Sequence, residues 1–178
     1  MNKHLLISCD VEADGPCPGL YSMVSFGMVV VEPELNRKFY SGVMKPNSGT
    51  ALWIPEALAV SGVSRKEQLD GISPQKAMIN AHAWLKSLDA NVTFISDNNG
   101  FDWQFINYYF HAYIGKNPFG FSSRRITDLW AGFNKSSRTS AKSWKSFRKT
   151  KHTHNPLDDA RGNAEALLEM DRRGLHIL

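Results

Sequence analysis

At 178 residues, 42% hydrophobic and 21% charged, the chain is long enough to bury a substantial core and reads as one soluble globular domain over 1–178. No stretch approaches the roughly 18 consecutive apolar residues of a membrane span, and Leu5-Leu6-Ile7 is too short for a signal peptide, so a cytoplasmic protein without membrane contact is expected. The net charge of +4 points weakly to a polyanionic partner.

His4–Cys9 is a short apolar run that predicts a buried strand ending at Asp10. The turn signals Asp14-Gly15-Pro16 and Pro18-Gly19 close it. Cys9 and Cys17 lack a CxxC spacing, suit neither a zinc site nor a disulfide framework, and read as unpaired thiols. Tyr21–Val31 predicts a second strand, stopped by Pro33, and Arg37–Met44 a third, reached through a Glu34-Leu35-Asn36 turn. Connections this tight make the first three strands antiparallel neighbours.

Past Pro46 the pattern turns helical. Trp53–Val60 predicts a short helix and Ser73–Leu88 a longer one, with Ser73 as N-cap and Pro74 at the first helical position. Ala77, Ala81, Trp84, Leu85 and Leu88 recur there at helical spacing. Val92–Ser96 predicts a fourth strand, and Phe101–Tyr113 a helix whose aromatic stripe reads as core packing, not as a base-stacking surface. Ile126–Phe133 fits either a strand or a helix. Asn134–Thr153, rich in Ser, Lys and Arg, reads as a mobile or weakly structured segment, and Pro156–Arg173 as a closing helix. The whole is one α/β domain without repeats or linkers.

Three elements carry chemistry. In Asp10-Val11-Glu12, side chains two apart on a strand point to the same side, so the two carboxylates converge while Val11 enters the opposite face. Adjacent carboxylates repel, and a cation between them is what makes the arrangement tolerable. Hard oxygen ligands suit Mg²⁺ or Mn²⁺. Beyond the fourth strand, Asp97-Asn98-Asn99-Gly100-Phe101-Asp102 places Asp102 in the first turn of a helix, near the positive end of its dipole. At the last helix, His154-Asn155-Pro156-Leu157-Asp158-Asp159 sets His154 in the loop and Asp159 on the first turns.

The ordered set Asp-x-Glu, Asn-x-x-Phe-Asp and His-x₄-Asp resembles the DEDDh exonuclease family, to which RNase T, oligoribonuclease and polymerase proofreading subunits belong. The resemblance spans nearly the whole chain, including Ile54-Pro55-Glu56 through Ser61-Gly62-Val63. It implies an RNase H-like fold: a mixed sheet flanked by helices, with the first three strands antiparallel. It implies Asp10, Glu12, Asp102 and Asp159 as ligands of two Mg²⁺ or Mn²⁺ ions, His154 as general base, and Asn98 within the second motif on the nucleic-acid side. The implied activity is 3′–5′ release of nucleoside 5′-monophosphates from a single-stranded RNA or DNA end. The small stand-alone format leans to RNA; a DNA proofreading or repair exonuclease and a catalytically silent nucleic-acid-binding protein are the alternatives. Relatives include monomers and dimers, so a homodimer stays open.

The sequence departs from the family in three places: Asp97 precedes Asn98 where many relatives carry His, Ser25 falls in a usually more aliphatic stretch, and Pro156 replaces Ala. Only His154, not His152, has the family's spacing to Asp159, and Asp158 is read as a helix-start acid. Lys135, Arg138, Lys142, Lys145, Arg148, Lys149 and Lys151 form an acid-free basic run that leads into His154. Trp144 and Phe147 are interleaved with these cations, a combination able to stack bases while the charges hold phosphates. Trp144, Lys145, Phe147, Arg148 and Lys149 are the predicted nucleic-acid contacts.

Overall fold

Alternation along the first strand organises the molecule. In the computed structural model, which describes residues 3–49, 52–137 and 141–177 (Ala141 and Lys142 by backbone alone), β1 spans His4–Ala13. Its odd-numbered residues, Leu5 through Ala13, enter one hydrophobic core, whereas Leu6 enters a second core on the other face of the sheet. β2 (Met23–Val30) runs antiparallel to β1, and β3 (Lys38–Tyr40) antiparallel to β2. β4 (Asn91–Ser96) and β5 (Ser123–Arg125) add in parallel, giving the order β3-β2-β1-β4-β5. The mixed sheet with three antiparallel leading strands is the one expected. Its third strand is shorter than Arg37–Met44, and β1 continues past Cys9, so Asp10 and Glu12 lie within the strand and not at its close.

Helices cover both faces. The short α1 (Pro55–Val60) and α2 (Arg65–Asp70) precede α3 (Pro74–Ser87) and α4 (Asn99–Ile114), which fill the first core with Ala77, Met78, Ala81, Phe105, Ile106 and Tyr109. Ser73 caps α3 as predicted, its hydroxyl accepting the Lys76 N–H. The aromatic stripe of α4 packs inward, which agrees with its reading as core. On the other side, α5 (Ile126–Phe133), α6 (Ala141–Lys145) and α7 (Pro156–Met170) build the second core, and a wide turn over Asp171–Leu175 follows α7. Among the described residues no helix is long and apolar enough to cross a membrane.

Two features fix α7 against the sheet. Gly27 faces Asp10 across the β1–β2 ladder, and a Cβ there would lie 2.5 Å from the backbone of Pro156 and Leu157. The helix start thus rides directly on β2. One turn on, the Ser8 hydroxyl donates to the Ala160 carbonyl at 2.8 Å.

The basic segment differs from its sequence reading. Its described part from Ala141 onward is ordered by α6, whose Trp144 is fully buried with its indole N–H donating to Thr127 Oγ1 at 3.0 Å. Burying a side chain of this size contributes about 3 kcal/mol, as much as a base stack would return. The aromatic therefore outweighs the solubility of its Lys and Ser neighbours and pulls the segment down. Arg138 lies outside the described residues, as does the side chain of Lys142.

Candidate active site

Asp10 and Glu12 share the face of β1 that looks toward α7, and Asp159 meets them from the first turn of that helix. One carboxylate oxygen from each lies within 4.8 Å of the other two. Pro156 opens α7, and Asn155 caps it by accepting the Leu157 and Asp158 N–H groups. Asp159 is fully buried, and its two oxygens accept the N–H groups of Thr153 at 3.3 Å and His154 at 3.0 Å. The loop is wrapped around the carboxylate it serves.

Asp102 arrives from the opposite layer. Its Oδ1 accepts the Val11 N–H at 3.2 Å, so the α4 carboxylate is tied to the backbone between Asp10 and Glu12. Its Oδ2 is buried with no hydrogen-bond partner among the described residues; the nearby Ser96 hydroxyl draws the Asp102 pKa down but falls short of hydrogen-bond geometry. The four acids thus converge from three elements at one end of the sheet.

Such crowding is visible in the acidities. Asp10 is held well above the ordinary carboxylate range, first by lost hydration and then by the charges of Asp102, Asp159 and Glu12, with Arg148 acting the other way. Glu12 is pushed up to about 7 by burial and by Asp159. Burial foremost pushes Asp102 up to about 8. The guanidinium of Arg148 is 4.0 Å from Asp159 and already donates to the Asp159 carbonyl and to Asn163 Oδ1. One shared cation does not neutralise four acids, and a buried acceptor without a donor is costly. An all-oxygen donor set of this kind fits hard divalent cations.

Two imidazoles border the acids. His154 is an exposed residue with left-handed backbone, φ +60°, and its Nδ1 lies 3.7 Å from Glu12 Oε1. His152, set aside on spacing, places Nδ1 2.8 Å from Asp159 Oδ1, and its ring centroid is 4.3 Å from that of His154. Its only trace in the sequence is a second imidazole two residues before His154, and spacing alone does not place that ring on Asp159.

Asp10, Glu12, Asp102 and the two imidazoles line a cleft of about 740 Å³, with Asp159 buried behind them. One wall is apolar, from Ile54, Ala57, Val60 and Phe101; the rim carries Asn98, Arg125 and Lys145. Asn98 is exposed at the N-terminus of α4 and makes no capping bond with its side chain. Lys145 pairs with Asp97, and Arg125 donates to the Asp97 carbonyl. Of the predicted nucleic-acid contacts, only Asn98 and Lys145 reach this cleft. Trp144 offers no face to a base. Phe147 packs edge-on against Trp130 under the Arg173 guanidinium, Arg148 is committed to α7, and Lys149 borders a separate groove with Arg161 and Glu165. Arg125 was missed, because a lone Arg-Arg pair before an undecided element carries no geometry.

No family model matches the chain. It is 38% identical over 180 residues to the 3′–5′ DNA exonuclease Cap18 of Escherichia coli, covering 96% of this chain and 94% of that protein. Among solved structures, the nuclease domain of 3′hExo, a DEDDh family member bound to rAMP, superposes with a TM-score of 0.77 at 15% identity, over 98% of this chain and 94% of that one. Escherichia coli exonuclease I in complex with an oligonucleotide gives 0.71 at 16% identity; this chain spans 97% of its own length but 42% of exonuclease I. With the four acids and the histidine-bearing loop in the family's order, the chain belongs to the DEDDh family of 3′–5′ exonucleases, hydrolases of nucleic acid.

Proposed function

We propose that this domain removes nucleotides from the 3′ end of single-stranded DNA, using two Mg²⁺ or Mn²⁺ ions held by Asp10, Glu12, Asp159 and Asp102, with His154 as general base. The observation that carries this reading is the convergence of three carboxylate oxygens within 4.8 Å, beside the donorless Asp102 oxygen. DNA is preferred over the RNA expected from the stand-alone format, because the relative at 38% identity is named a DNA exonuclease. Free Cys9 and Cys17 suit a cytoplasmic setting.

Bound divalent ions supply charge neutralisation on the phosphate and a more acidic attacking water. The chain's own residues do the rest. Asp159, fixed by two backbone N–H groups, and Asp102, fixed by Val11 with its second oxygen unpartnered, are held in place before any ion arrives. His154 sits at the open side, free to turn toward the attacking water and take its proton near neutral pH, where imidazole works best. Lys145 and Arg125 meet the phosphates at the rim, and Asn98 the terminal nucleotide. The apolar wall of Ile54, Ala57 and Val60 excludes water behind the terminal base.

The test offers 3′-labelled single-stranded DNA, single-stranded RNA and duplex DNA to wild type and Asp10→Ala with Mg²⁺ or Mn²⁺. Wild type releases labelled mononucleotide, fastest from single-stranded DNA. The variant loses more than about a hundredfold, the upper end of what even outer-shell partners of a metal cost. Equal activity of the variant sinks the site; a preference for RNA or duplex sinks the substrate assignment alone.

A further inference from the structure

We infer that His152, His154 and Asp159 form a binding site for a zinc-class divalent cation, with a ligand set different from the all-carboxylate site and sharing Asp159 with it. One ligand atom from each of the three residues lies within 4.8 Å of the other two. His152 Nδ1 already stands 2.8 Å from Asp159 Oδ1, and the two rings are 4.3 Å apart at their centroids. Two imidazoles and a carboxylate, with an open fourth position, make one of the recurring donor sets for tetrahedral Zn²⁺.

The geometry leaves little to adjust. Zinc bonds of about 2.0–2.1 Å bring tetrahedral ligand atoms to roughly 3.4 Å from one another, so closing the site asks for ring shifts of an ångström or so. The imidazole side chains are 51% and 45% exposed for His152 and His154, which leaves them free to rotate. Asp159, in contrast, is fully buried and pinned by two backbone N–H groups, and it serves as the fixed point. The loop between the two histidines contributes as well. Left-handed backbone at His154, φ +60°, costs free energy in a non-glycine residue, and here it folds the loop so that both rings lie over one carboxylate.

Two metals then sort by ligand chemistry. Asp10, Glu12 and Asp159 are hard oxygen donors suited to Mg²⁺ or Mn²⁺, whereas imidazole nitrogen favours zinc-class ions. An ion held by the histidines competes for Asp159 and ties up the His154 ring. Zinc is thus an inhibitor that acts on the site's own ligands, and His152, outside the family's motif, gives this chain that sensitivity.

The test uses the full chain stripped of metal, with Zn²⁺ alone titrated in competition with a chromophoric chelator and no substrate present. Wild type takes up a tight equivalent; His152→Asn weakens it at least about tenfold, the least that losing even an outer-shell partner costs; Asp10→Asn keeps it. Under Mg²⁺ turnover, the Zn²⁺ concentration that halves wild-type activity rises by the same factor in His152→Asn. Unchanged zinc affinity in His152→Asn, or its loss in Asp10→Asn, overturns the assignment. Because binding is read without substrate, this result and the exonuclease reading stand or fall separately.

Discussion

His154 joins two roles in one residue. Its backbone N–H holds Asp159 Oδ2 while its ring stands 3.7 Å from Glu12. Replacing the side chain spares the first contact and removes only the proposed base. His154→Ala is therefore expected to lower kcat by about 10²–10⁴-fold, the usual contribution of a positioned general base, with Mg²⁺ affinity and thermal stability close to wild type. Single-turnover kinetics beside a metal titration check this, and a variant that lost metal instead would make His154 structural. The carboxylates were legible at this scale because their order and spacing are local facts of the sequence. His152 was not legible. Its place on Asp159 follows from the left-handed turn at His154, and no pattern of residue types announces a positive φ at histidine.

At the level of elements, Gly27 decides how near α7 comes to the sheet. With no room for a Cβ above β2, Gly27→Ala must push the start of α7 outward, and Asp159 moves with it. Overpacking of this kind costs about 1–3 kcal/mol, and exonuclease activity and metal affinity are expected to fall more than stability does. Urea unfolding together with a metal titration separates the two; an active Gly27→Ala enzyme would show that α7 has slack. The long periodic segments, β1, α3, α4 and α7, were readable from hydrophobic pattern and caps. α2 was overlooked although Ser64 and Glu67 form a capping box, since six residues with one buried side chain leave almost no periodicity. α6 was misread because five residues of Ala, Lys, Ser and Trp look solvated until the position of Trp144 under α5 is known. Three-residue β5 owes its existence to its pairing with β4, which is a long-range fact.

For the molecule as a whole, the crowded acids link stability to pH. Without metal, Glu12 and Asp102 keep protons up to about 7 and about 8 that ordinary carboxylates release near 4.5 and 3.8. Between those limits the folded state binds more protons than the unfolded chain, so unfolding free energy falls as pH rises. The stability these groups contribute is complete below the unfolded values and gone above the folded ones. Metal-free protein should thus show a Tm that declines from about pH 5 to about pH 8, and saturating Mg²⁺ should flatten the decline by replacing protons with a cation. Calorimetric scans at constant ionic strength check both halves, and a metal-free Tm that climbs across this range would contradict the buried-acid account.

The two-residue rhythm of β1 also constrains how this enzyme can change. Even-numbered Asp10 and Glu12 face the cleft on one side of the strand, and odd-numbered side chains enter the larger core on the other. Deleting a single residue between Leu5 and Cys9 would leave the composition nearly intact yet swap those duties, driving Asp10 and Glu12 among Phe105 and Tyr109 and turning Val11 toward the phosphate. Lineages can lengthen or trim the loops around the sheet, but the frame of this one strand is closed to odd-numbered insertions and deletions.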